Sequence, residues 1–392
     1  MKIRRELDSF EKRHPEFTDS GIRSDTSQPT AERICKEEFG EDAVSVFLGE
    51  GGQGVVYNCS SEEAGVAYAQ KLYKNPFLMD PERAEIVDSA MSNTENGPAI
   101  YKFFEENLDV KDCCDLSACE DPPTSGCADC TACDQAAVFG KFEELLYGKD
   151  ITKSDFDAND EIVYKAFTKK LAKLHQVTQK ECDRKVGFCY ESWPWNTRAV
   201  ATHLDSWGVL AKAFLGKLIK EYPSENIKTY DDAVNMLYEN LYATMSPTVW
   251  AHNDPHPGNI FIRDEGETLD EKMLIIDYDN AEFGMRAWDL MYYANSALLN
   301  GEKFQDYINS YVENYNQIGP REFSYEELMQ ELICVYPWLF FDFASFTFYW
   351  DVEVSTACFF AWRVLIEEYE NGNLSCPSTG RYPEYPKCYP IA

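Results

Sequence analysis

The chain has 392 residues, of which 68 are acidic and 36 are basic, so its formal net charge at pH 7 is −32. This length is sufficient for two domains with separate cores, and so negative a chain disfavours nucleic acids and anionic membranes as partners. The longest apolar run near the C-terminus, residues 335–341, ends at Asp342 and is much shorter than the roughly 18 residues of a membrane span. We therefore expect no stable membrane insertion.

The N-terminal segment, residues 1–30, is polar and is predicted to form a mobile arm or an edge helix. It carries charges but lacks the apolar core of a secretory signal, so we expect a cytoplasmic protein. Stable disulfide bonds are not expected in that reducing compartment.

A glycine-rich segment follows, between two predicted strands at residues 43–48 and 66–73. It reads GEGGQGVV from Gly49 and fits the G-x-G-x-x-G-x-V pattern, whose glycines let backbone N–H groups approach phosphates closely. A dinucleotide-binding loop would open a helix, whereas Val55 to Tyr57 favours a strand; a simple glycine-rich hairpin turn is the alternative. The predicted nucleotide-binding residues of this segment are Gly49, Gly51, Gly52, Gly54 and Val56.

Lys71 lies near the end of the second predicted strand, where a kinase places the lysine that holds the α- and β-phosphates of its nucleotide. Such a lysine needs a carboxylate partner on the following helix, and we predict Glu85 for this role, with Glu82 as the second choice. Lys74 competes with Lys71 as the phosphate lysine. A solvated surface lysine is the alternative interpretation.

Six of the fourteen cysteines fall between residues 113 and 133, in an insertion predicted over about residues 106–136. The spacing of Cys127, Cys130 and Cys133 is compatible with zinc binding or with disulfide bonds. Because the compartment is expected to be reducing, free thiols are favoured, and zinc is a less favoured alternative.

Two helices are predicted from local patterns in the rest of the chain. Apolar residues at helical spacing indicate a helix within residues 157–175. Residues 324–327, Ser-Tyr-Glu-Glu, match a capping box and predict that another helix begins there.

The segment HNDPHPGN, residues 252–259, has the spacing of a kinase catalytic loop, because Asp254 precedes Asn259 by five positions. Asp254 would accept the proton of the attacking hydroxyl group, and Asn259 would ligate magnesium through its side-chain oxygen. The two histidines of the segment do not favour zinc, since its prolines break the helix that such a ligand pair needs. His252 is interpreted as a buried structural residue.

An apolar run at residues 273–276 predicts a buried strand that is followed at once by Asp277. The carboxylate of Asp277 would reach the same magnesium ion, whose preferred ligands are oxygen atoms. Asp279 is predicted as a further metal ligand, with a surface acid as the alternative.

Several segments together carry a resemblance to a known family. The run IDYDNAEFGMRAWDL from Ile276, the HND…GN loop, GPAIY from Gly97, and FEELL from Phe142 with LAKLH from Leu171 resemble segments of choline and ethanolamine kinases. The resemblance is specific in these core motifs and loose in the rest of the chain.

The resemblance implies a two-lobed α+β fold similar to that of protein kinases. A small antiparallel-sheet N-lobe over residues 31–147 would bind the nucleotide, and a larger, mainly helical C-lobe over residues 148–392 would carry the catalytic loop, metal site and substrate pocket. It also implies phosphorylation of a small amino alcohol, such as choline or ethanolamine, by ATP and Mg²⁺ in phospholipid biosynthesis. By the same resemblance the catalytic base is Asp254, the magnesium ligands are Asn259 and Asp277, the phosphate lysine is Lys71, and the hinge residues beside the nucleotide are Glu143 and Leu145.

The cationic acceptor that this family implies favours aromatic faces and carboxylates. Residues 336–353 are rich in both, and we predict that Tyr349, Trp350 and Asp351 bind the substrate, with core packing as the alternative for the aromatic side chains. The chain departs from the family at one position: Ser296 stands where family members have a glutamate that helps to hold a quaternary ammonium group.

The sequence therefore predicts a small-molecule kinase that acts on a hydroxyl group, with an amino alcohol as the favoured acceptor. A kinase for an aminoglycoside- or sugar-like substrate is the alternative. A non-catalytic scaffold is disfavoured because Lys71, Asp254, Asn259 and Asp277 are all present, and a protein kinase because no A-P-E-like segment follows Asp277. The oligomeric state is left open, with a dimer as one option.

Overall fold

The computed structural model describes residues 24–50, 54–73, 92, 96–108, 136–182, 208–243, 248–278, 281–319, 322–348 and 351–373. Its contacts divide the chain into two compact units, residues 1–147 and 148–392. No helix within the described ranges is long and apolar enough to cross a membrane.

The first unit combines a helix with a five-stranded antiparallel sheet. The helix, α1, spans Ser24–Phe39 and so begins inside the polar arm predicted for residues 1–30. The strands β1 to β5 are Val44–Glu50, Gly54–Ser61, Val66–Tyr73, Ile100–Leu108 and Ala136–Glu144. Their order in the sheet is β1-β2-β3-β5-β4. The strands predicted on both sides of the glycine-rich segment are confirmed, and Gly54 opens a strand rather than the helix of a dinucleotide-binding loop.

The two faces of this sheet have different surroundings, because successive side chains of a strand point to opposite sides. One face packs against α1 and forms a buried core. The core residues are Ala31, Ile34, Cys35, Ala43, Val55, Tyr57, Cys59, Leu72 and Phe142. The opposite face carries Val56 and Lys71, which are paired across β2 and β3. The core therefore fixes the strands that present these two side chains.

A disulfide bond ties α1 to the sheet. Cys35 in α1 and Cys59 in β2 are bonded to each other, are separated by 24 positions and are fully buried. Cys334, in the second unit, is also disulfide-bonded. These bonds contradict the expectation that the protein has no stable disulfides. The cysteines of the predicted insertion lie in residues 109–135, outside the described part of the chain.

Replacing both Cys35 and Cys59 with serine should lower the free energy of unfolding by about 2–4 kcal/mol, because the cross-link restricts the unfolded chain. Chemical denaturation without reductant, followed by circular dichroism, measures this difference. As a control, a reductant should lower the unfolding midpoint of the wild type and narrow its difference from the variant. Equal midpoints for the two proteins without reductant would contradict the prediction.

The second unit is mainly helical and contains two small antiparallel sheets. Its strands β6 to β10 are Gly148–Asp150, Thr248–Ala251, Ile260–Arg263, Met273–Ile275 and Glu282–Met285. One sheet has the strand order β6-β8-β9, and the other pairs β7 with β10. The helices α2 to α9 are Glu161–Cys182, Gly208–Glu221, Tyr230–Ala243, Leu269–Lys272, Arg286–Ser296, Gly301–Ile318, Tyr325–Thr347 and Val352–Glu370.

Local sequence patterns predicted three of these elements. The helix expected within residues 157–175 is α2, which begins at Glu161. Of the apolar run at residues 273–276, Met273–Ile275 form the fully buried strand β9, and Ile276 follows it. At the start of α8, the Ser324 amide donates to Glu327 Oε2 at 2.8 Å and the Glu327 amide donates to Ser324 Oγ at 3.2 Å, which is the predicted capping box.

Helix α8 runs through the centre of the second unit, and all its residues from Glu331 to Phe341 are buried. A buried ion pair holds it against α6: Arg286 donates to both carboxylate oxygens of Glu331, at 2.9 and 2.6 Å. The ring of Phe323 lies 3.7 Å from the Arg286 guanidinium carbon and covers this pair. Such a bidentate contact fixes both the distance and the orientation of the two helices.

Candidate active site

The predicted catalytic loop connects β7 to β8. Within it, the His256 amide donates to the Asp254 carbonyl and the Asn259 amide donates to the His256 carbonyl, both at 2.9 Å. Asn253 has a φ of +64°, a conformation that residues with a Cβ atom rarely adopt. Such backbone persists only where the surrounding structure holds it in place.

Asp289 in α6 holds this backbone. Its fully buried carboxylate accepts the His252 amide at 2.6 Å on Oδ2 and the Asn253 amide at 2.8 Å on Oδ1. The neighbouring Trp288 donates its indole N–H to the Asn253 carbonyl at 3.1 Å. Helix α6 thus fixes the two peptide groups immediately before Asp254. In the sequence, Asp289 is recognisable only as part of the family-like segment, and no local pattern gives it a role.

His175 in α2 completes the surroundings of Asp289. Its Nε2 lies 3.1 Å from Asp289 Oδ2, and its Nδ1 lies 2.6 Å from the Tyr311 hydroxyl in α7. Burial lowers the pKa of His175 and raises the pKa of Tyr311, so both side chains are neutral at pH 7. We assign the tautomer in which Nε2–H donates to Asp289 and Nδ1 accepts the tyrosine hydroxyl, because a neutral imidazole has one donor and one acceptor. Three helices are thereby linked to the loop.

Asp254 and Asn259 lie together in the loop. The Asn259 side-chain Nδ2 donates to the Asp254 carbonyl at 2.8 Å and lies 3.5 Å from the Asp254 carboxylate oxygen Oδ2. Asp254 itself is half-buried. Since the amide nitrogen of Asn259 faces Asp254, its side-chain carbonyl oxygen is left to point elsewhere and can act as a ligand.

Asp277 is brought next to Asn259 by the pairing of β8 with β9. The Ile276 amide donates to the Asn259 carbonyl at 2.9 Å, and Asp277 follows with an exposed side chain and a φ of +63°. His252 supports the same place, because its Nε2 lies 2.9 Å from the Ile276 carbonyl and its Nδ1 accepts the Asp254 amide at 3.3 Å. The structure therefore agrees with a structural role for His252.

Two oxygen-bearing side chains, those of Asn259 and Asp277, thus extend from adjacent backbone segments, and oxygen ligands of this kind fit magnesium. Within the described ranges, no cluster of three or more His, Cys, Asp or Glu side chains could hold a metal ion. The third predicted ligand, Asp279, lies outside the described residues, so its role stays a prediction.

In the first unit, Lys71 lies on the sheet face that is turned away from α1. It is buried, and its Nζ lies 5.2 Å from the centroid of the Tyr73 ring. A Cβ atom built at Gly54 would lie 3.0 Å from Lys71 Cε, so a side chain at this glycine would crowd the lysine. Val56 is directly opposite Lys71 on β2. This part of the predicted nucleotide site is therefore assembled by strand register alone.

A second lysine, which no local sequence pattern indicates, lies beside Lys71. Lys141 on β5 is directly opposite Lys71, is buried and forms a 2.8 Å ion pair with Glu143. Lys141 belongs to the segment just before the predicted hinge. The sequence does not show that this segment pairs with the strand of Lys71, so only the strand pairing reveals the second lysine. Glu143 ends up on the same sheet face as both lysines, and Leu145 follows directly after β5.

The structure describes only some of the other predicted site residues. Gly49 lies within β1. Asp351 precedes α9 and caps it, because its Oδ1 accepts the amides of Glu353 at 2.9 Å and Val354 at 3.2 Å. The remaining predicted residues lie outside the described part of the chain, namely Gly51, Gly52, Glu85, Tyr349 and Trp350.

Solved structures of similar fold were found by comparison. An ethanolamine kinase from Plasmodium vivax is 15% identical, with a TM-score of 0.53 and 85% of each chain covered. A choline/ethanolamine kinase family protein from Mesorhizobium loti is 12% identical, with a TM-score of 0.50, over 90% of this chain and 97% of that one. A choline kinase from Cryptosporidium parvum has the same identity and TM-score, over 88% and 97%. No curated protein sequence matches the chain.

An antiparallel-sheet unit and a mainly helical unit with this loop geometry define a kinase-like α+β fold, as the solved structures show. The family model for choline/ethanolamine kinases matches residues 138–355, which is more than half of the chain. The chain therefore belongs to the choline/ethanolamine kinase family and is a small-molecule kinase. The fold class, family and enzyme class predicted from the sequence are confirmed.

Replacing Asp289 with asparagine should lower the free energy of unfolding by about 1–3 kcal/mol, because at least one buried N–H group then faces an amide N–H₂ instead of an oxygen. Urea denaturation measures the effect. Asp264→Asn is the control for the loss of one surface charge, since Asp264 is exposed just after β8 and this substitution should cost less than about 1 kcal/mol. Equal effects of the two substitutions would show that Asp289 does not hold the loop.

Proposed function

We propose that the protein transfers the γ-phosphoryl group of ATP to the hydroxyl group of a small amino alcohol, such as choline or ethanolamine, in phospholipid biosynthesis. The observation that carries this proposal is the geometry around Asp254. Its loop is held by the buried carboxylate of Asp289, and its own carboxylate lies beside Asn259. Enzymes catalyse phosphoryl transfer mainly by positioning the reacting groups. A rigid, half-buried carboxylate next to an amide oxygen that can bind a metal meets this requirement.

In this proposal Asp254 is the catalytic base. The acceptor hydroxyl donates a hydrogen bond to its carboxylate, and the hydroxyl oxygen attacks the γ-phosphorus. The bond from that phosphorus to the bridging β–γ oxygen breaks, ADP leaves, and the hydroxyl proton passes to Asp254. The contacts of Asp289 and Asn259 support this role, because they restrict the backbone on both sides of the base.

Asn259 and Asp277 are proposed to hold magnesium, with Asp279 as a further ligand. When bound there, the ion would neutralise negative charge on the transferring phosphate. The chain's own contribution is the hydrogen bond between the Ile276 amide and the Asn259 carbonyl, which keeps the two ligand-bearing segments adjacent. Asp277 follows the buried strand and has a positive φ. This backbone conformation turns its carboxylate away from the strand and towards solvent.

The first unit is proposed to bind the nucleotide. Lys71 would contact the α- and β-phosphates, with Glu85 as its carboxylate partner, and Val56 would pack on the base. Gly49, Gly51, Gly52 and Gly54 would let the backbone approach the phosphates, and the closeness of Gly54 to Lys71 supports this arrangement. Glu143 and Leu145 are proposed to contact the nucleotide at the end of β5.

The acceptor is proposed to be a cation. Membership of the choline/ethanolamine kinase family supports this choice, and so does the net charge of −32. Tyr349, Trp350 and Asp351 remain proposed substrate residues. The cytoplasmic location stays a prediction, and the buried disulfide between Cys35 and Cys59 weighs against it, because stable disulfides belong to oxidising compartments.

Replacing Asp254 with alanine should reduce kcat roughly 10²- to 10⁴-fold, the usual contribution of a general base, while leaving ATP affinity within a few-fold of the wild type. ADP release with Mg²⁺-ATP and a panel of hydroxyl compounds, beginning with choline and ethanolamine, measures the first effect. Calorimetric titration with ATP measures the second. Turnover that survives the substitution would remove Asp254 from the role of base.

Replacing Asp277 with alanine should weaken nucleotide binding in the presence of Mg²⁺ by roughly 10- to 100-fold, since one charged oxygen ligand is lost. Binding measured in EDTA should change little, because the metal then takes no part. Asp264→Ala provides the matched control, as this aspartate is exposed just after β8. An unchanged dependence on Mg²⁺ concentration would argue against Asp277 as a ligand.

A further inference from the structure

The side chain of His256, in the turn that follows Asp254, is held in one orientation. Its Nδ1 accepts a hydrogen bond from the Gly258 amide at 3.0 Å, so the ring caps the short 3-10 turn Pro257–Asn259. The backbone of His256 is fixed as well, because its amide donates to the Asp254 carbonyl and its carbonyl accepts the Asn259 amide. The prolines on both sides of His256 restrict this backbone further.

Gly258 makes this orientation of the ring possible. A Cβ atom built at Gly258 would lie 2.7 Å from His256 Cε1 and 2.9 Å from His256 Nδ1. Carbon atoms that are not bonded to each other stay about 3.5–4.0 Å apart, so a side chain at this position would push the imidazole away. The ring therefore packs directly on a glycine, and this packing fixes where its second nitrogen lies.

The hydrogen bond from Gly258 also determines which nitrogen of His256 carries the proton. Since Nδ1 accepts from an amide, it has no hydrogen of its own, and the proton of the imidazole is on Nε2. This Nε2 lies 3.9 Å from Oδ2 of Asp254. A donor of defined orientation thus borders the carboxylate of the proposed base.

The gap between these two atoms has the size of one oxygen atom. A direct hydrogen bond has a length of about 2.9 Å, so 3.9 Å is too long for one. An oxygen atom about 2.8 Å from both Nε2 and Oδ2 fits between them, because twice this distance exceeds their separation. The side chains of His256 and Asp254 are 42% and 24% exposed, so a ligand can reach the gap.

A hydroxyl oxygen has the bonding capacity that this gap requires. Its hydrogen can be donated to the Asp254 carboxylate, and one of its two lone pairs can accept the Nε2–H of His256. The second lone pair is then left to attack phosphorus. Two fixed partners would thus define the rotation of the hydroxyl group about its C–O bond, and orientation of the reacting atom is a main source of catalysis in phosphoryl transfer.

We propose that His256 is a catalytic residue whose Nε2–H donates to the hydroxyl oxygen of the acceptor while Asp254 receives the hydroxyl proton. This inference rests on the proposed function and extends it by naming the donor that orients the nucleophile. As the acceptor oxygen forms its bond to the γ-phosphorus, the bond from that phosphorus to the bridging β–γ oxygen breaks and the proton passes to Asp254. His256 keeps its own proton throughout, so it acts by orientation.

Two substitutions separate this role from the capping of the turn. In His256→Asn, the side-chain Oδ1 takes the place of Nδ1 and can accept the Gly258 amide, but no donor replaces Nε2–H. In His256→Gln, the amide nitrogen takes the place of Nε2 and keeps a donor beside Asp254, whereas the bond from Gly258 is lost. Each variant therefore retains one of the two contacts of the imidazole.

We expect His256→Asn to lower kcat/KM for the acceptor roughly 10- to 100-fold, the value of one hydrogen bond to substrate, with KM for ATP changed less than about threefold. His256→Gln should stay within about fivefold of the wild type, because the donor is retained. Ethyltrimethylammonium and ethylamine, which are choline and ethanolamine without the hydroxyl group, should inhibit all three proteins equally, since they offer no oxygen to His256.

Urea denaturation and Mg²⁺-ATP titration establish that both variants are folded and bind nucleotide. Equal losses in the two variants, or a larger loss in His256→Gln, would show that His256 only caps the turn, and the inference would fail while the proposed function stands. Weaker inhibition of His256→Asn by the analogues without a hydroxyl group would also overturn the inference, because the substitution would then have altered the site as a whole. If the wild type phosphorylates no hydroxyl compound of the panel, the proposed function fails first, and the inference fails with it.

Discussion

The buried carboxylate of Asp289 is the interaction on which the functional part of the second unit depends. Removing a charged group from water is unfavourable unless donors replace the lost hydration, and here the donors are two amides of the catalytic loop and the imidazole of His175. The cost of burying Asp289 and the conformation of the loop are therefore coupled. The positive φ of Asn253 persists because its amide is directed at this carboxylate.

The same core arranges the negative charges of the site. Arg286 neutralises Glu331 at the start of the helix pair, whereas burial and, to a lesser extent, the charge of Asp254 raise the pKa of Asp342 to about 7. The buried acids that hold the helices and the loop together, Asp289 and Glu331, thus each have hydrogen-bond donors within the core.

In the first unit, the five-stranded sheet positions the side chains of the predicted nucleotide site. The side packed on α1 is apolar and is cross-linked by the Cys35–Cys59 disulfide, while the other side presents Lys71 and Lys141 next to each other. Burying one face fixes the register, and the register decides which residues appear on the opposite face. The stability of the sheet and the alignment of the lysines therefore have one physical origin.

The sequence by itself determined the local elements and motifs: the strands around the glycine-rich segment, the capping box at Ser324, the buried strand before Asp277, and the spacing of Asp254 and Asn259. These depend on periodicity and on contacts a few residues apart, which a linear pattern contains. Only the tertiary structure decided that His175 meets Asp289 across 114 positions, that Cys35 pairs with Cys59, and that Lys141 lies opposite Lys71. Such partners are selected by the packing of whole helices and sheets, and their separation along the chain carries no signal of it.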